Sequence, residues 1–426
     1  MKEIRIIGAG LCGLLCAIKL ANKGYLVSIY EQKSLEDILN YQKATHKKSG
    51  RSMSMDLSAR GLLALKDLNL LEKLLPVSVM MKNKIFHHQD SSVDIVPYGK
   101  NHNEHILTVS RNQLFEILYK KAVLYNNIKI NFLSKLTTIN RLENNIIIGA
   151  DGVNSQVREL IFKNTSQKTS FSKCYKELSI SVPNNLHINA MHIWPRNGFM
   201  LVAQPNFDGT FTSALITEKN MTISNIQNFF KEYFFDIYQS MPNLIQEFTN
   251  NKISEFNIVN CDKIISNNIL LIGDAAHAMV PFLGQGVNCS FEDCSVLLEC
   301  LDKCEHEWPK AINLYEEKRL KNIQAINTLS LENYPELLVD ADIKKCILEK
   351  QLDIYLMKKY PQKYLSFHNL ICFNHTEYKK VLAIKNIQTN LIKNLSKNIY
   401  NLADLKEHTI HQEFMNYEEI IKKMAF

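Results

Sequence analysis

Two separated groups of residues carry the chemistry that can be read from this 426-residue chain. One is the glycine set Gly8, Gly10 and Gly13, and the other is the distant run Ile272-Gly273-Asp274-Ala275-Ala276-His277. Gly8 permits a tight turn, Gly10 lets phosphates approach the backbone, and Gly13 lets a helix pack closely on a strand. The chain holds only 14 glycines, against an average usage of roughly 7%, so three in six positions stand out. Glu31 follows the loop by about 20 residues, where a carboxylate can accept hydrogen bonds from ribose hydroxyls. Asp274 can reach a ribityl hydroxyl, and Gly284-Gln285-Gly286-Val287-Asn288 can open a helix whose N-terminus faces a flavin ring and stabilises negative charge on its reduced form. Together the two segments describe one FAD held at two distant points, which implies redox chemistry.

Other candidates belong to the same reading or to none. Ile146-Ile147-Ile148-Gly149-Ala150-Asp151-Gly152 is a buried strand running into a turn, followed by Ser155 and Arg158 on a helix. Ser110 is an N-cap with Gln113 completing a capping box, and Arg111 then sits in the first helical turn, where it opposes the helix dipole. That placement favours contact with an anionic partner such as the flavin, with a surface salt bridge as the alternative. His102 and His105 have metal-ligand spacing but lie in an Asn-rich loop without a third ligand, so they are expected to be solvated. Cys12 and Cys16 share one helix face as buried small hydrophobes. His277 has no nucleophile motif beside it and is expected to pack near the flavin, and Trp194 either lines the active site or is core.

These residues require particular elements behind them. Lys2 to Ile7 reads as a buried strand and Leu14 to Ala21 as the helix after the turn; Val27 to Tyr30 and Ile269 to Ile272 are further strands. Leu57 to Leu74, Leu114 to Leu124 and Val381 to Ile399 read as amphipathic helices. The fold class expected is α/β: a discontinuous Rossmann-like FAD-binding domain (1–75, 103–165 and 262–330), an antiparallel-sheet substrate domain (76–102 and 166–261) and a C-terminal helical region (331–426).

Composition agrees with a soluble enzyme. At 46% hydrophobic the chain can bury a large core. The net charge of +7 mildly favours anionic ligands, but the 50 basic residues are scattered without a long run, so no nucleic-acid partner is expected. The 10 cysteines include no CxxC pair, and no secretory signal is present, so a reduced, cytoplasmic protein without a bound metal is expected. No apolar run approaches the roughly 20 residues that span a bilayer.

The glycine loop, Asp151-Gly152 with Ser155 and Arg158, and Gly273-Asp274 with Pro281, in this order, resemble the FAD-dependent aromatic hydroxylases of the para-hydroxybenzoate hydroxylase fold. Within that group the chain most resembles the kynurenine 3-monooxygenase family. The similarity is carried by Gly50-Arg51-Ser52 with Ser58-Ala59-Arg60-Gly61, Pro97-Tyr98-Gly99, Val109-Ser110-Arg111, Tyr175-Lys176-Glu177-Leu178, His192-Ile193-Trp194-Pro195-Arg196-Asn197, Pro281-Phe282-Leu283-Gly284-Gln285-Gly286, Phe291-Glu292-Asp293-Cys294 and Asn333-Tyr334-Pro335-Glu336. It runs to about residue 340 and fades beyond.

The resemblance implies a hydroxylase cycle. NADPH reduces FAD, the reduced flavin captures O2 as a C4a-hydroperoxide, and the distal oxygen passes to ring carbon 3 of L-kynurenine, giving 3-hydroxykynurenine in tryptophan degradation. The alternative is another anthranilate-like or indole-derived aromatic substrate; a flavin-bearing binding protein without turnover is a third. NADPH acts as co-substrate without a dedicated nicotinamide domain, and the sequence shows one glycine loop only. The expected cofactor contacts are Gly8, Gly10, Leu11, Cys12, Gly13, Glu31, Lys33, Arg111, Leu136, Asp151, Asp274, Gly286, Val287 and Asn288. No catalytic acid or base is assigned, because the ring amine of kynurenine already donates electrons to the adjacent carbon. The family's carboxylate grip maps to Lys84, Tyr98, Asn333 and His368. Lys84 replaces an arginine and loses its bidentate fork, His368 replaces a tyrosine, and Asp56 stands where a small apolar residue is usual. The animal members carry a membrane anchor near the C-terminus, and its apolar run is missing here.

Overall fold

Ile4–Ile7, Val27–Tyr30 and Ile146–Gly149 are short, mostly apolar runs, interrupted only at Arg5 and Ser28, the composition of strands largely covered on both faces. In the computed structural model, which describes residues 3–39, 54–101, 103–136, 145–182, 185–333, 343–397 and 399–424, they lie side by side at the centre of a six-stranded sheet. Its order is Ile265–Ser266, Ile269–Leu271, Ile146–Gly149, Ile4–Ile7, Val27–Tyr30, Ile128–Asn131. All neighbours are parallel except the Ile265–Ser266 edge. Parallel alignment brings the carboxyl ends to one side, so Gly8, Glu31, Ala150 and Gly273 emerge together, where ligands of such sheets bind.

A seven-stranded sheet forms the second layer, ordered Ser254–Cys261, Ser166–Ile180, Phe211–Glu218, Phe199–Pro205, Ala190–Arg196, Asn83–His87, Val93–Pro97. It is antiparallel except where Ala190–Arg196 runs parallel to Asn83–His87. Alternation along Phe199–Pro205 sorts its side chains. Leu201 and Ala203 join a core with Phe211, Phe230 and Phe234, while Met200, Val202 and Gln204 face a cavity on the other side. Ser54–Leu57, Ile106–Ser110 and Ser78–Met81 form a small antiparallel sheet with Ile106–Ser110 at its centre. The C-terminal helices Ile343–Lys359, Phe367–Cys372, Tyr378–Ser396 and Glu407–Lys423 close around a separate apolar cluster that includes Leu352, Leu356, Tyr364, Phe414 and Tyr417. The expected fold class is the one observed. Among the described residues no helix is long and apolar enough to cross a membrane.

Two local expectations change. The helix expected over Leu57 to Leu74 is two helices, Ala59–Lys66 and Leu71–Leu74. Asn69 takes a positive φ of 55° between them, and Leu70 N–H turns back to the Leu65 carbonyl at 3.1 Å, so that Leu68 and Leu70 both reach the core. Apolar spacing alone does not register that break. The capping box at Ser110 is half formed: its hydroxyl accepts the Gln113 N–H at 3.2 Å, but the Gln113 side chain meets that same hydroxyl rather than the backbone. That helix begins at Arg111.

A buried charge web ties together the loop after Ile269–Leu271 and the helices packed around it. Asp293, fully buried, accepts from Gly273 N at 2.8 Å, His277 Nε2 at 2.5 Å and Arg319 Nε at 2.8 Å. Arg319 also binds Glu292 at 2.6 Å, and Glu292 binds Arg60, whose guanidinium lies 4.1 Å from the Tyr378 ring centre. Burial pushes a carboxyl up, yet His277 and Arg319 hold Asp293 below its ordinary value. Asp293→Ala would strand two cationic partners and the Gly273 amide. It is expected to reduce unfolding free energy by about 3–5 kcal/mol, measured by urea denaturation; a loss under about 1 kcal/mol would show that the web is dispensable.

Candidate active site

The glycine loop is built from close contacts. Gly8 has φ +105°, and a Cβ there would lie 2.5 Å from the Ala150 carbonyl oxygen; a Cβ on Gly13 would lie 2.1 Å from the Gly8 oxygen. Gly10 meets nothing within 4 Å, so its side opens to solvent and ligand. Gly10 also caps the helix Leu11–Asn22 without a side-chain hydrogen bond, which leaves first-turn amides available to an anion. Glu31 braces this turn, accepting Ala9 N–H at 2.9 Å and Lys33 N–H at 3.0 Å.

An outer cleft of about 860 Å³ begins here. Gly8, Gly10, Leu11, Glu31, Lys33, Arg111, Leu136, Asp151 and Asp274 line it. It runs into an inner cavity of about 330 Å³ that shares Gly10, Leu11, Arg111 and Asp274 and adds Cys12, Gly286 and Val287. Gly13 and Asn288 line neither. Gly13 sits behind the loop, and Asn288 is a fully buried brace: its amide donates to Asp56 O at 2.7 Å and Gly284 O at 2.8 Å, and its carbonyl accepts Ser58 N–H at 2.8 Å. Asp151 reaches the cleft edge, but its carboxylate caps the helix Gln156–Ile161 through Ser155 Oγ at 2.5 Å and Gln156 N at 2.6 Å. Arg158 ties the neighbouring loops through Ala275 O and Val153 O. An open glycine turn, an uncapped helix start and a cleft leading to a second helix start at Gly286 fit a dinucleotide with a ring at its inner end.

Beyond that ring position the inner cavity is mainly apolar, walled by Met191, Ile193, Met200, Val202, Ala214 and Phe282. Lys84, Tyr98 and His368 come together in it. Lys84 Nζ lies 5.1 Å from the Tyr98 ring centre, and the Tyr98 and His368 rings stack at 5.9 Å. Burial and the Lys84 charge hold the His368 imidazole well below its ordinary range, and therefore neutral; burial raises the Tyr98 hydroxyl. Asn333 stands apart. Its amide donates to Phe282 O at 2.9 Å, and it lines a smaller pocket of about 140 Å³ that touches the other three from behind.

Asp56 enters the same cavity. The Gln204 amide nitrogen donates to both of its carboxylate oxygens at 2.9 Å. Burial pushes Asp56 up to about 7 against the opposing pull of Lys84, Thr108 and Gln204.

Residues 1–330 match the family described as FAD binding domain. Over 456 aligned positions the chain is 36% identical to the kynurenine 3-monooxygenase of Legionella pneumophila strain Corby, covering 100% of this chain and 98% of that protein. The chain belongs to the kynurenine 3-monooxygenase family. The Anopheles gambiae member is 33% identical over 92% of this chain and 86% of its own length. Among solved structures, a tetrameric 2-methyl-3-hydroxypyridine-5-carboxylic acid oxygenase superposes with a TM-score of 0.66 at 18% identity, covering 82% of this chain and 96% of that one. A probable FAD-dependent monooxygenase from Pseudomonas aeruginosa gives 0.66 at 16%, over 79% and 96%; these two likenesses establish the fold alone.

For this family member, His277 and Cys12 depart from the expected placement, and Trp194 takes the core alternative. His277 points into the Asp293 web and lines neither cavity. Trp194 is core, stacked on His87 at 4.4 Å with its indole N–H on Asp236 at 2.7 Å. Cys16 is buried as expected, while Cys12 is half-buried with its sulfur 3.8 Å from that of Cys294. His105 bonds the Asn103 carbonyl; His102, Gly50-Arg51-Ser52 and Tyr334-Pro335-Glu336 lie outside the described residues. Gln204 lines the cavity without a motif of its own, and its one signal in the sequence is a polar third member in the apolar row of Met200 and Val202. Gly13→Ala should cut flavin retention at least about tenfold, since a 2.1 Å backbone contact must be relieved by moving the loop; flavin absorbance per protein after purification tests this, and full retention would show that the loop tolerates the shift.

Proposed function

We propose that this chain hydroxylates L-kynurenine at ring carbon 3, consuming NADPH and O2 and releasing 3-hydroxykynurenine. The carrying observation is the gathering of Lys84, Tyr98 and His368 in an apolar cavity continuous with the dinucleotide cleft. Full-length identity to kynurenine 3-monooxygenases supports it. Bound FAD supplies oxygen activation and the transfer of one oxygen atom to an electron-rich ring.

The chain's own residues hold and orient. Backbone amides from Gly10 to Cys12 take the pyrophosphate, Glu31 the ribose, Asp274 the ribityl chain, and the helix start at Gly286 and Val287 the flavin ring, with Lys33, Arg111 and Leu136 along the cleft. Lys84 offers a positive point charge to the amino-acid carboxylate. The Tyr98 hydroxyl and neutral His368 complete that end, and Asn333 holds the Phe282 carbonyl, fixing a cavity wall from behind. Met200, Val202 and Phe282 keep water from the ring. Asp151 and Asn288 act through the loops they brace. NADPH acts without a second glycine-loop domain.

A second reading keeps the flavin chemistry and changes the ring. The pair Asp56 and Gln204 in an apolar wall, with Lys84 at the carboxylate end, favours an anthranilate-like or indole-derived relative of kynurenine as the alternative.

NADPH oxidation by the FAD-loaded protein is expected to rise on adding L-kynurenine, with mass spectrometry detecting a product one oxygen heavier. No stimulation would transfer the assignment to the second reading. Lys84→Ala removes a charge-assisted contact and should raise KM by about 10- to 100-fold with flavin content unchanged. Parallel loss of flavin would show that Lys84 supports the fold instead.

A further inference from the structure

We propose that Asp56, held by Gln204, accepts a hydrogen bond from the aromatic amine of the substrate and thereby selects rings that carry one. The inference rests on the reading of the cavity as the site of an arylamine-bearing substrate.

A carboxylate in an apolar wall is destabilising unless its oxygens are occupied. Here the Gln204 amide nitrogen is shared between both oxygens and the Thr108 hydroxyl stands beside them as a second donor, and a carboxylate has about four acceptor sites, so capacity is left over. The fold does not require the side chain, because Asp56 pairs with Thr108 through the sheet backbone and its carbonyl is satisfied by Asn288. Position adds direction. A Cβ on Gly284 would lie 3.2 Å from Asp56 Oδ2, so the carboxylate stands beside the loop leading into the Gly286 helix, at the end of the cavity where the flavin ring fits. The Lys84, Tyr98 and His368 group supplies a cation and a hydroxyl, suited to a carboxylate. Asp56 is an acceptor, suited to an N–H. A substrate with a carboxylate at one end and a ring amine at the other matches both.

The simplest competing account is that Asp56 only balances the Lys84 charge. It makes a different prediction, because charge balance acts on every amino-acid ligand alike.

Full-length, FAD-loaded protein is titrated by flavin absorbance change with L-kynurenine and with its des-amino analogue 2-amino-4-oxo-4-phenylbutanoate. The unaltered protein should bind kynurenine about tenfold more tightly than the analogue, one well-placed hydrogen bond to a charged group. Asp56→Ala should bring that ratio to within about twofold by weakening kynurenine, without weakening the analogue. Gln204→Leu, which loosens Asp56 without deleting it, should give an intermediate ratio. A ratio that survives Asp56→Ala, or equal weakening of both ligands, overturns the assignment. If Asp56→Ala loses flavin, Asp56→Asn keeps the shape and is read instead: it should lower the ratio, and an unaltered ratio counts against the proposal. Should the unaltered protein neither bind nor oxidise kynurenine, the proposed function fails on its own. The pair 2-aminoacetophenone and acetophenone, which needs no carboxylate grip, then decides the role of Asp56 by the same ratio.

Discussion

The Asp293 carboxylate has no route to water, and the site depends on how its charge is met. Removing such a group from solvent is strongly unfavourable unless every oxygen is bonded and opposite charge is close. Asp293 meets both conditions with three donors drawn from different parts of the chain: the Gly273 amide, His277 and Arg319. Each donor fixes something useful. Gly273, at φ +61°, ends the Ile269–Leu271 strand segment and sends Asp274 into the cleft. Arg319 joins Glu292 and, through it, Arg60 and the ring of Tyr378, whose hydroxyl reaches Gln285 at 3.0 Å. One charge web therefore sets both the turn that presents Asp274 and the residue that starts the Gly286–Lys303 helix.

That web would serve nothing without the parallel sheet. Parallel register collects the loops after Ile7, Tyr30, Gly149 and Leu271 on one side, and glycines let those loops touch. The second sheet adds what a dinucleotide site lacks, a dry wall over the ring end. Its alternation turns Met200, Val202 and Gln204 inward and Leu201 and Ala203 outward, so the same strand builds a core on one face and a substrate surface on the other.

How much was legible follows from how local each constraint is. The glycine loop was readable because a tight turn and a close helix approach are requirements of three neighbouring residues. The cavity residues Lys84, Tyr98 and His368 needed the family resemblance; nothing in their own segments separates them from ordinary strand and helix positions. Asp151 and Asn288, expected to touch the cofactor, have their side chains engaged by a helix end and by backbone groups, because a short polar side chain beside an unsatisfied amide is captured locally. The break at Asn69 was hidden for the opposite reason: apolar residues continue through it, and only the left-handed backbone reveals it. Asp293 itself gave no signal, since its partners lie 16, 20 and 26 residues away.

Asp56 joins the two levels of organisation. Its backbone is anchored by Asn288, part of the helix that the Asp293 web positions, while its side chain is anchored by Gln204 from the second sheet. A carboxylate that bridges the cofactor layer and the substrate layer responds to both. Burial drives it toward the neutral acid, Lys84, Thr108 and Gln204 draw it back, and the balance lies at about 7. A ligand amine brought against it adds a donor and tips the balance toward the charged form, just as a ligand carboxylate placed on Lys84 withdraws part of the cation that steadies it. Amine and carboxylate thus act on Asp56 with opposite sign. An aromatic amino acid carrying both disturbs the cavity's charge less than a ligand carrying only the carboxylate, and this electrostatic economy is a physical reason for two polar stations of opposite sign in one apolar chamber.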